Sequence, residues 1–442
     1  MKHANTRYLR NLASATLASI GLLSSAQAGN GGDTQSVKDL SSQSILDAHC
    51  DLGQSVENWW NGDTFTGNWF GLNNPENHSG VKFFAAYEAD MASNVVGGKK
   101  STGFGYSDNF YFGAKFDLET LVNWKGATLT VSAIDRNGSN LSADRIGNYY
   151  PVQQDYGVER LSFYSINLEQ KLFDDQLSVK VGRFPMTDDF ATSPLYWLYQ
   201  NNGIDGNPKS FFTTTAFSSY PGSVWGGRVI YKPAGTDYYI KAGLFQASDR
   251  IYDANAQGMD WGIRGRDGIS AITELGWTPT FNEKPGHYWF GMYYSSMEFT
   301  RFQDGQLSPN TGGFYWHADQ QVYRPIPGQD QGLTLFTNFV YQPKESVQLI
   351  PYQFACGAVY KGLIPRRPVD MTVFGFTYGK FSDDYAASVS QKAGAEKVVE
   401  LGYQIALNKF TAIQPNLQGI INPYGTDNHD VLVLGCRVLV TF

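Results

Sequence analysis

From Val81 onward the chain alternates apolar and polar residues in short segments. Between Asn109 and Leu118, Phe110, Phe112, Ala114, Phe116 and Leu118 oppose Tyr111, Gly113, Lys115 and Asp117. Between Gln176 and Arg183, Leu177, Val179 and Val181 oppose Ser178, Lys180 and Gly182. The chain ends on Val431 to Phe442, which puts Leu432, Leu434, Cys436, Val438, Val440 and Phe442 on one face. A strict period of two with one apolar face marks strands that border an apolar medium. Such segments predict about sixteen strands, near 81–91, 108–118, 127–136, 160–172, 176–184, 223–232, 237–246, 269–278, 286–296, 315–324, 332–342, 349–360, 370–380, 396–408, 411–422 and 431–442. The last is expected to close against the first near Val81.

Nowhere in residues 29–442 is there an apolar run of about 20 residues, the length of a spanning helix. A chain like this crosses a membrane only as a closed barrel, because closure alone satisfies every backbone group in lipid. An antiparallel transmembrane β-barrel is therefore the predicted fold, in preference to a soluble secreted all-β domain. A terminal aromatic after an alternating strand is the usual end of a bacterial outer-membrane barrel. The 27 Tyr, 29 Phe and 10 Trp suit interfacial girdles, and the 47 Gly suit tight turns. Connections read as short after even-numbered strands (Phe173 to Asp175, Lys232 to Asp237, Asn408 to Phe410) and long after odd ones. The long ones include Asn137 to Glu159, Pro185 to Gly222, Gln246 to Gly268 and Phe381 to Ala395. Short periplasmic turns and long extracellular loops are the asymmetry expected of such barrels.

The amino-terminus agrees. Lys2, Arg7 and Arg10 precede a short apolar stretch, Leu12 to Leu23, and the small-residue site Ala26-Gln27-Ala28. Met1 to Ala28 reads as a signal peptide cut after Ala28, residues 29–56 as a flexible or briefly helical lead-in, and 57–442 as the barrel. Without its signal the chain has 31 basic and 41 acidic residues, a net charge of about −10 that argues against nucleic acid as a partner. Outer-membrane lipid is the expected surroundings, with a homo-oligomer open because one apolar face serves lipid and a neighbouring barrel alike.

Sixteen strands leave a water-filled lumen, where eight would be filled by their own side chains. With the apolar positions facing lipid, Glu88, Asp90, Lys115, Arg136, Lys180, Arg228, Lys241, Glu274 and Glu400 point inward. Their mixed sign predicts a balanced lumen rather than a strongly ion-selective one. Cys356 and Cys436 fall on apolar strand faces, and with Cys50 they form no disulfide framework. No spacing indicates a metal or cofactor site, and the Asp-rich turn Gly425 to Asp430 reads as solvated rather than calcium-binding. His287 falls in a strand, while His49, His78, His317 and His429 fall in loops or near strand ends, with no nucleophile elbow or zinc helix beside them. That pattern argues against an enzyme. A plugged receptor needs about 22 strands and a globular plug, for which the chain is too short.

Several segments resemble the carbohydrate-selective porins of the OprB family. They are Thr66 to Leu72 (TGNWFGL), Val81 to Gly98 (VKFFAAYEADMASNVVGG), Ile134 to Gly147 (IDRNGSNLSADRIG), Leu177 to Phe184 (LSVKVGRF) and Ile413 to Pro423 (IQPNLQGIINP), in the family's order. The resemblance implies passage of small neutral sugars, glucose-like monosaccharides, through a constriction of arginine, acidic and aromatic groups. It places Arg136 at the constriction arginine. The nearby acid falls around Gln154 and Asp155, with Glu159 and Arg160 as alternatives; Glu88 and Asp90 are further candidates. Asp144-Arg145 reads as a local ion pair fixing its loop, or as reaching the pore. Trp197, within Leu195 to Tyr199, belongs to a sugar-stacking platform, an interfacial girdle or a loop core. Arginine supplies a fixed fork of donors and a carboxylate supplies acceptors, which together suit a polyol's hydroxyls. A general or anion-selective porin of the same fold is the alternative.

Overall fold

The computed structural model describes residues 59–157, 160–214 and 216–442. The expected signal peptide, the lead-in 29–56, His49, Cys50 and Glu159 lie outside the described residues. Sixteen antiparallel strands form one sheet closed on itself. They are β1 (Val81–Val96), β2 (Gly103–Asp117), β3 (Ala127–Gly138), β4 (Arg160–Leu172), β5 (Leu177–Phe184), β6 (Val224–Tyr231), β7 (Tyr238–Ala247) and β8 (Gly268–Trp277). They continue as β9 (Lys284–Thr300), β10 (Leu307–Tyr323), β11 (Gly332–Tyr341), β12 (Tyr352–Lys361), β13 (Met371–Lys380), β14 (Ala395–Ala406), β15 (Thr411–Ile421) and β16 (Val431–Thr441). Each strand pairs with the next, and β16 returns to β1 with Ala86 opposite Thr441 and Asn94 opposite Val433. A two-residue bridge, Thr280–Phe281, pairs with the start of β9 and adds nothing to the wall.

The in-out phase follows the alternation. Leu434 is 52% exposed and its neighbour Val433 is fully buried. Tyr238, Trp277, Phe281 and Tyr288 contact one another around the turn that joins β8 to β9, with Tyr238 stacked on Trp277 at 5.9 Å. Such an aromatic cluster suits the boundary between hydrocarbon and water. At the seam the Phe442 ring packs on Phe65 (5.2 Å) and Phe110 (6.2 Å). The Phe65 amide donates to the Thr441 carbonyl at 2.7 Å, so the segment before β1 clasps the end of β16.

One stretch of edge needs help. β4 pairs with β5 only from Ile166 to Leu172. In its unpaired half the Phe163 amide donates to the Gln257 carbonyl (3.0 Å), and the Ser223 hydroxyl reaches the Tyr164 carbonyl. Loop backbone and side chain thus supply partners that a neighbouring strand would otherwise give.

β1, β2, β9 and β10 run beyond the spans that alternation predicts. Their outer parts still pair, as in Glu298 with Pro309 and Thr300 with Leu307. Strands paired beyond an apolar band have no apolar face to keep, so alternation stops before pairing does. As a result connections 97–102 and 301–306 are tight although they follow odd-numbered strands, while 118–126, 324–331 and 362–370, after even ones, are longer.

Leu434→Arg places a cation on the lipid face of β16 and is expected to destabilise the barrel by about 2–4 kcal/mol. Leu434→Phe should be near neutral. Equilibrium unfolding in lipid vesicles measures both, and equal effects of the two would contradict the phase.

Candidate functional site

The described residues of two long connections, 139–159 and 185–223, pack against the inner wall. In the second, Tyr196, Tyr199, Phe211 and Phe217 are fully buried and join the inward Phe245, Tyr293, Tyr315 and Phe336 in one apolar cluster. The wall is recessed to receive these rings. A Cβ on Gly357 or Gly375 would collide with Tyr199, and one on Gly379 with the Tyr150 hydroxyl; glycine in a strand marks such close approach.

Carboxylates on the wall hold the loop backbones. Glu400 accepts the amides of Gln200 (2.8 Å) and Asn201 (2.9 Å). Glu396 accepts those of Tyr149 (2.7 Å), Tyr150 (2.8 Å) and Tyr424 (2.5 Å). Glu274 accepts the amide of Ala191 at 3.0 Å. Charge-assisted bonds of this kind are about twice as strong as neutral ones. Glu274 and Glu400 therefore point inward as the alternation predicts, but they anchor loops. Glu396, in the same phase as Glu400, is an anchor that counting charges in the sequence overlooked.

On the β4–β8 wall the charges alternate in a network. Arg228 meets Glu169 (2.7 Å) and Asp189 (3.2 Å), Lys180 meets Asp189 (2.7 Å), and Lys241 meets Glu274 (2.6 Å). The neighbours Asp188 and Asp189 diverge. Burial pushes the Asp188 carboxyl up to about 6, whereas for Asp189 burial is outweighed by Lys180 and Arg228, which hold it below the usual carboxylate range. Lys115 stays exposed on the inner face of β2.

Arg136 is 5% exposed and grips the loop end of connection 139–159. Its Nε donates to the Asp155 carbonyl (2.7 Å), and its Nη2 donates to the carbonyls of Gln154 (2.8 Å) and Tyr156 (2.9 Å). Among the described residues no carboxylate lies within ion-pair distance of it. The Asp155 side chain turns instead toward Glu88 and Asp90, so the acid expected beside Arg136 presents its carbonyl to the guanidinium and not its carboxylate. The Tyr220 ring lies 5.4 Å from the Arg136 guanidinium, and its hydroxyl donates to Asn109. Tyr164 and Tyr111 continue the aromatic row at 5.0 and 5.5 Å spacings. Arg160 sits opposite Arg136 across β3 and β4, its Nε buried without a partner among the described residues. Lys209 comes near as well, and burial first and Arg136 second lower its ammonium to about 8.

The remaining candidates separate. Glu88 and Asp90 converge on Arg437, which is fully buried in β16 and which the sequence reading missed. Asp205 of connection 185–223 joins them (2.5 Å). Leu195 to Tyr199 forms a loop core, with Tyr196 and Tyr199 wholly covered; Trp197 is half-buried and lines a cavity with Met371, Gln404 and Phe410. Asp144 and Arg145 are exposed on the turn Ser142–Ile146, and the expected ion pair between them does not form; Arg145 lays its methylenes beside Gly103 instead. His317 lies inside β10 rather than near a strand end, 1% exposed and held between Tyr196 (2.6 Å) and Asp319 (2.8 Å). It pins the loop core from within the wall.

A closed sixteen-strand barrel whose connections fold back on a polar inner wall defines a porin. Residues 101–442 match the family model of the carbohydrate-selective porin, OprB family, and the chain belongs to that family. It is 29% identical over 416 residues to Porin B of Pseudomonas aeruginosa, covering 85% of this chain and 90% of that protein. It is 24% identical over 426 residues to the putative porin QuiX of Acinetobacter baylyi, covering 88% and 95%. The fold is similar to the high-pH structure of Pseudomonas putida OprB, with a TM-score of 0.81 and 27% identity over 86% of this chain and 99% of that one. The protein is an outer-membrane channel.

Glu400→Ala leaves two buried loop amides without acceptors, each costing about 1–3 kcal/mol. The detergent-solubilised variant is expected to melt lower and to expose connection 185–223 to protease while the barrel stays resistant. Unchanged protease resistance of that connection would contradict its anchoring role.

Proposed function

We propose that the chain mediates passive diffusion of small neutral sugars of monosaccharide size, with no catalysis and no energy coupling. The constriction is formed by Arg136, the row Tyr220, Tyr164 and Tyr111, and Asn109, facing the segment 154–156. The observation that carries this is the Arg136 guanidinium, oriented by three backbone carbonyls and covered by an aromatic ring. With Nε and Nη2 held by those carbonyls, Nη1 is the donor left for sugar hydroxyls, and the half-buried Tyr220 and Tyr111 rings stack on the C–H face. Arg160 and Lys209 contribute further donors. The salt-bridged wall along β4–β8 keeps its charges mutually compensated, which suits a neutral solute, and weak binding suits flux. Glu274, Glu396 and Glu400 shape the passage indirectly by fixing the loops. We further propose that the signal peptide is cut after Ala28, that the loop-bearing end faces outside the cell, and that outer-membrane lipid covers the apolar face.

Liposomes containing the protein are expected to swell faster in glucose than in a neutral non-sugar of equal size, and sugar is expected to block single-channel current. Equal swelling would leave a general porin. Arg136→Ala should weaken sugar block by about tenfold, the equivalent of one charge-assisted hydrogen bond, and loosen the segment 154–156 whose carbonyls it holds, while the barrel itself stays folded. Unchanged block would remove Arg136 from the constriction.

A further inference from the structure

Beside Arg136, where the seam between β1 and β16 faces the in-folded loops, four carboxylates meet one guanidinium. Glu88, Asp90, Asp155, Asp205 and Arg437 are each 4% exposed or less. Arg437 pairs with Glu88 (2.8 Å), Asp90 (2.9 Å) and Asp205 (2.5 Å). Asp155 approaches from the loop side, its amide 3.5 Å from Asp90 Oδ2. Oxygens of Glu88, Asp90 and Asp155 all lie within 4.8 Å of one another. Within this group Asp155 Oδ2 and Asp205 Oδ1 are buried and have no hydrogen-bond partner among the described residues.

The charges do not balance. Among the described residues Asp90, Asp155 and Asp205 alone set three carboxylates against one contacting cation, Arg437, and Arg136, the next nearest, is spent on the Asp155 carbonyl rather than its carboxylate. Uncompensated buried charge costs several kcal/mol per ion, so the group must take up positive charge as protons or as a metal ion. The donors are all oxygen, which selects a hard cation. Ligands on opposite sides of Ca²⁺ stand about 4.6–5.2 Å apart, and those on opposite sides of Mg²⁺ only about 4.0–4.2 Å. Mg²⁺ also demands octahedral geometry and keeps several waters, whereas Ca²⁺ accepts an irregular set of protein oxygens; carboxylates that are each 4% exposed or less suit the larger ion. A carboxylate has lone pairs enough to face Arg437 and a cation together.

We propose that Glu88, Asp90 and Asp155 form a binding site for a divalent cation of the calcium class. The ion ties the constriction segment 154–156 to the barrel seam. Because the Asp155 carbonyl accepts from Arg136 Nε, occupancy also sets where that guanidinium points. The site is independent of which solute the pore admits.

The test uses the full-length mature barrel in detergent, stripped with EDTA and titrated with CaCl₂ alone by calorimetry. One calcium should bind per chain, more tightly than magnesium. Asp155→Asn should weaken binding by about tenfold or more, since affinity follows ligand charge. Asp427→Asn, in the Asp-rich turn 425–430, should leave it unchanged. Heat-modifiable mobility in SDS confirms that each variant is a folded barrel. Absence of calcium binding by the unmutated barrel, or unchanged affinity in Asp155→Asn, would overturn the proposal. So would a stripped barrel that takes up protons near neutral pH and responds to pH but not to calcium.

Discussion

Arg437 sits where three demands on the chain meet. It lies on the last strand, it bonds Glu88 and Asp90 on the first, and it bonds Asp205 on the longest in-folded loop. A slip of one residue between β16 and β1 would turn it toward lipid, where a cation costs about 2–4 kcal/mol, and would strip the carboxylates of their partner. Closure register, polarity of the inner wall and seating of the loop are thus set by one side chain. Backbone pairing alone could not do this, since a ladder shifted by one residue makes just as many hydrogen bonds.

The barrel was legible because lipid enforces a period of two on every strand that crosses it. The strands appear where the alternation puts them, and the charges read as inward are on the inner wall. Arg437 was equally legible, because the phase that sends Leu434 and Val438 outward sends 437 inward; a search for apolar positions passes over it. Asp205 and Tyr220 were not legible. They reach their partners Arg437 and Arg136 across large sequence separations from connections that have no period. The Asp155 side chain was misplaced for a related reason. Family resemblance located the segment next to Arg136, but only the backbone conformation decides that its carbonyl, not its carboxylate, faces the guanidinium.

Counting inward charges also overstates what a solute meets. Glu274, Glu396 and Glu400 spend their oxygens on loop amides, and the aromatic residues of 185–223 bury much of the wall from β7 to β13 in an apolar core. What carries charge in the sequence carries structure in the fold.

The glycine recesses at 357, 375 and 379 bear on how such a channel changes its cargo. They make the strand wall a socket for rings borne by loops, so the frame and the filter meet through shape and a few carboxylate anchors rather than through shared backbone pairing. A lineage can therefore exchange the residues between the anchors and acquire a new preference while keeping the hydrogen-bonded frame, provided the replacement still offers a ring to each recess and an amide to each anchor.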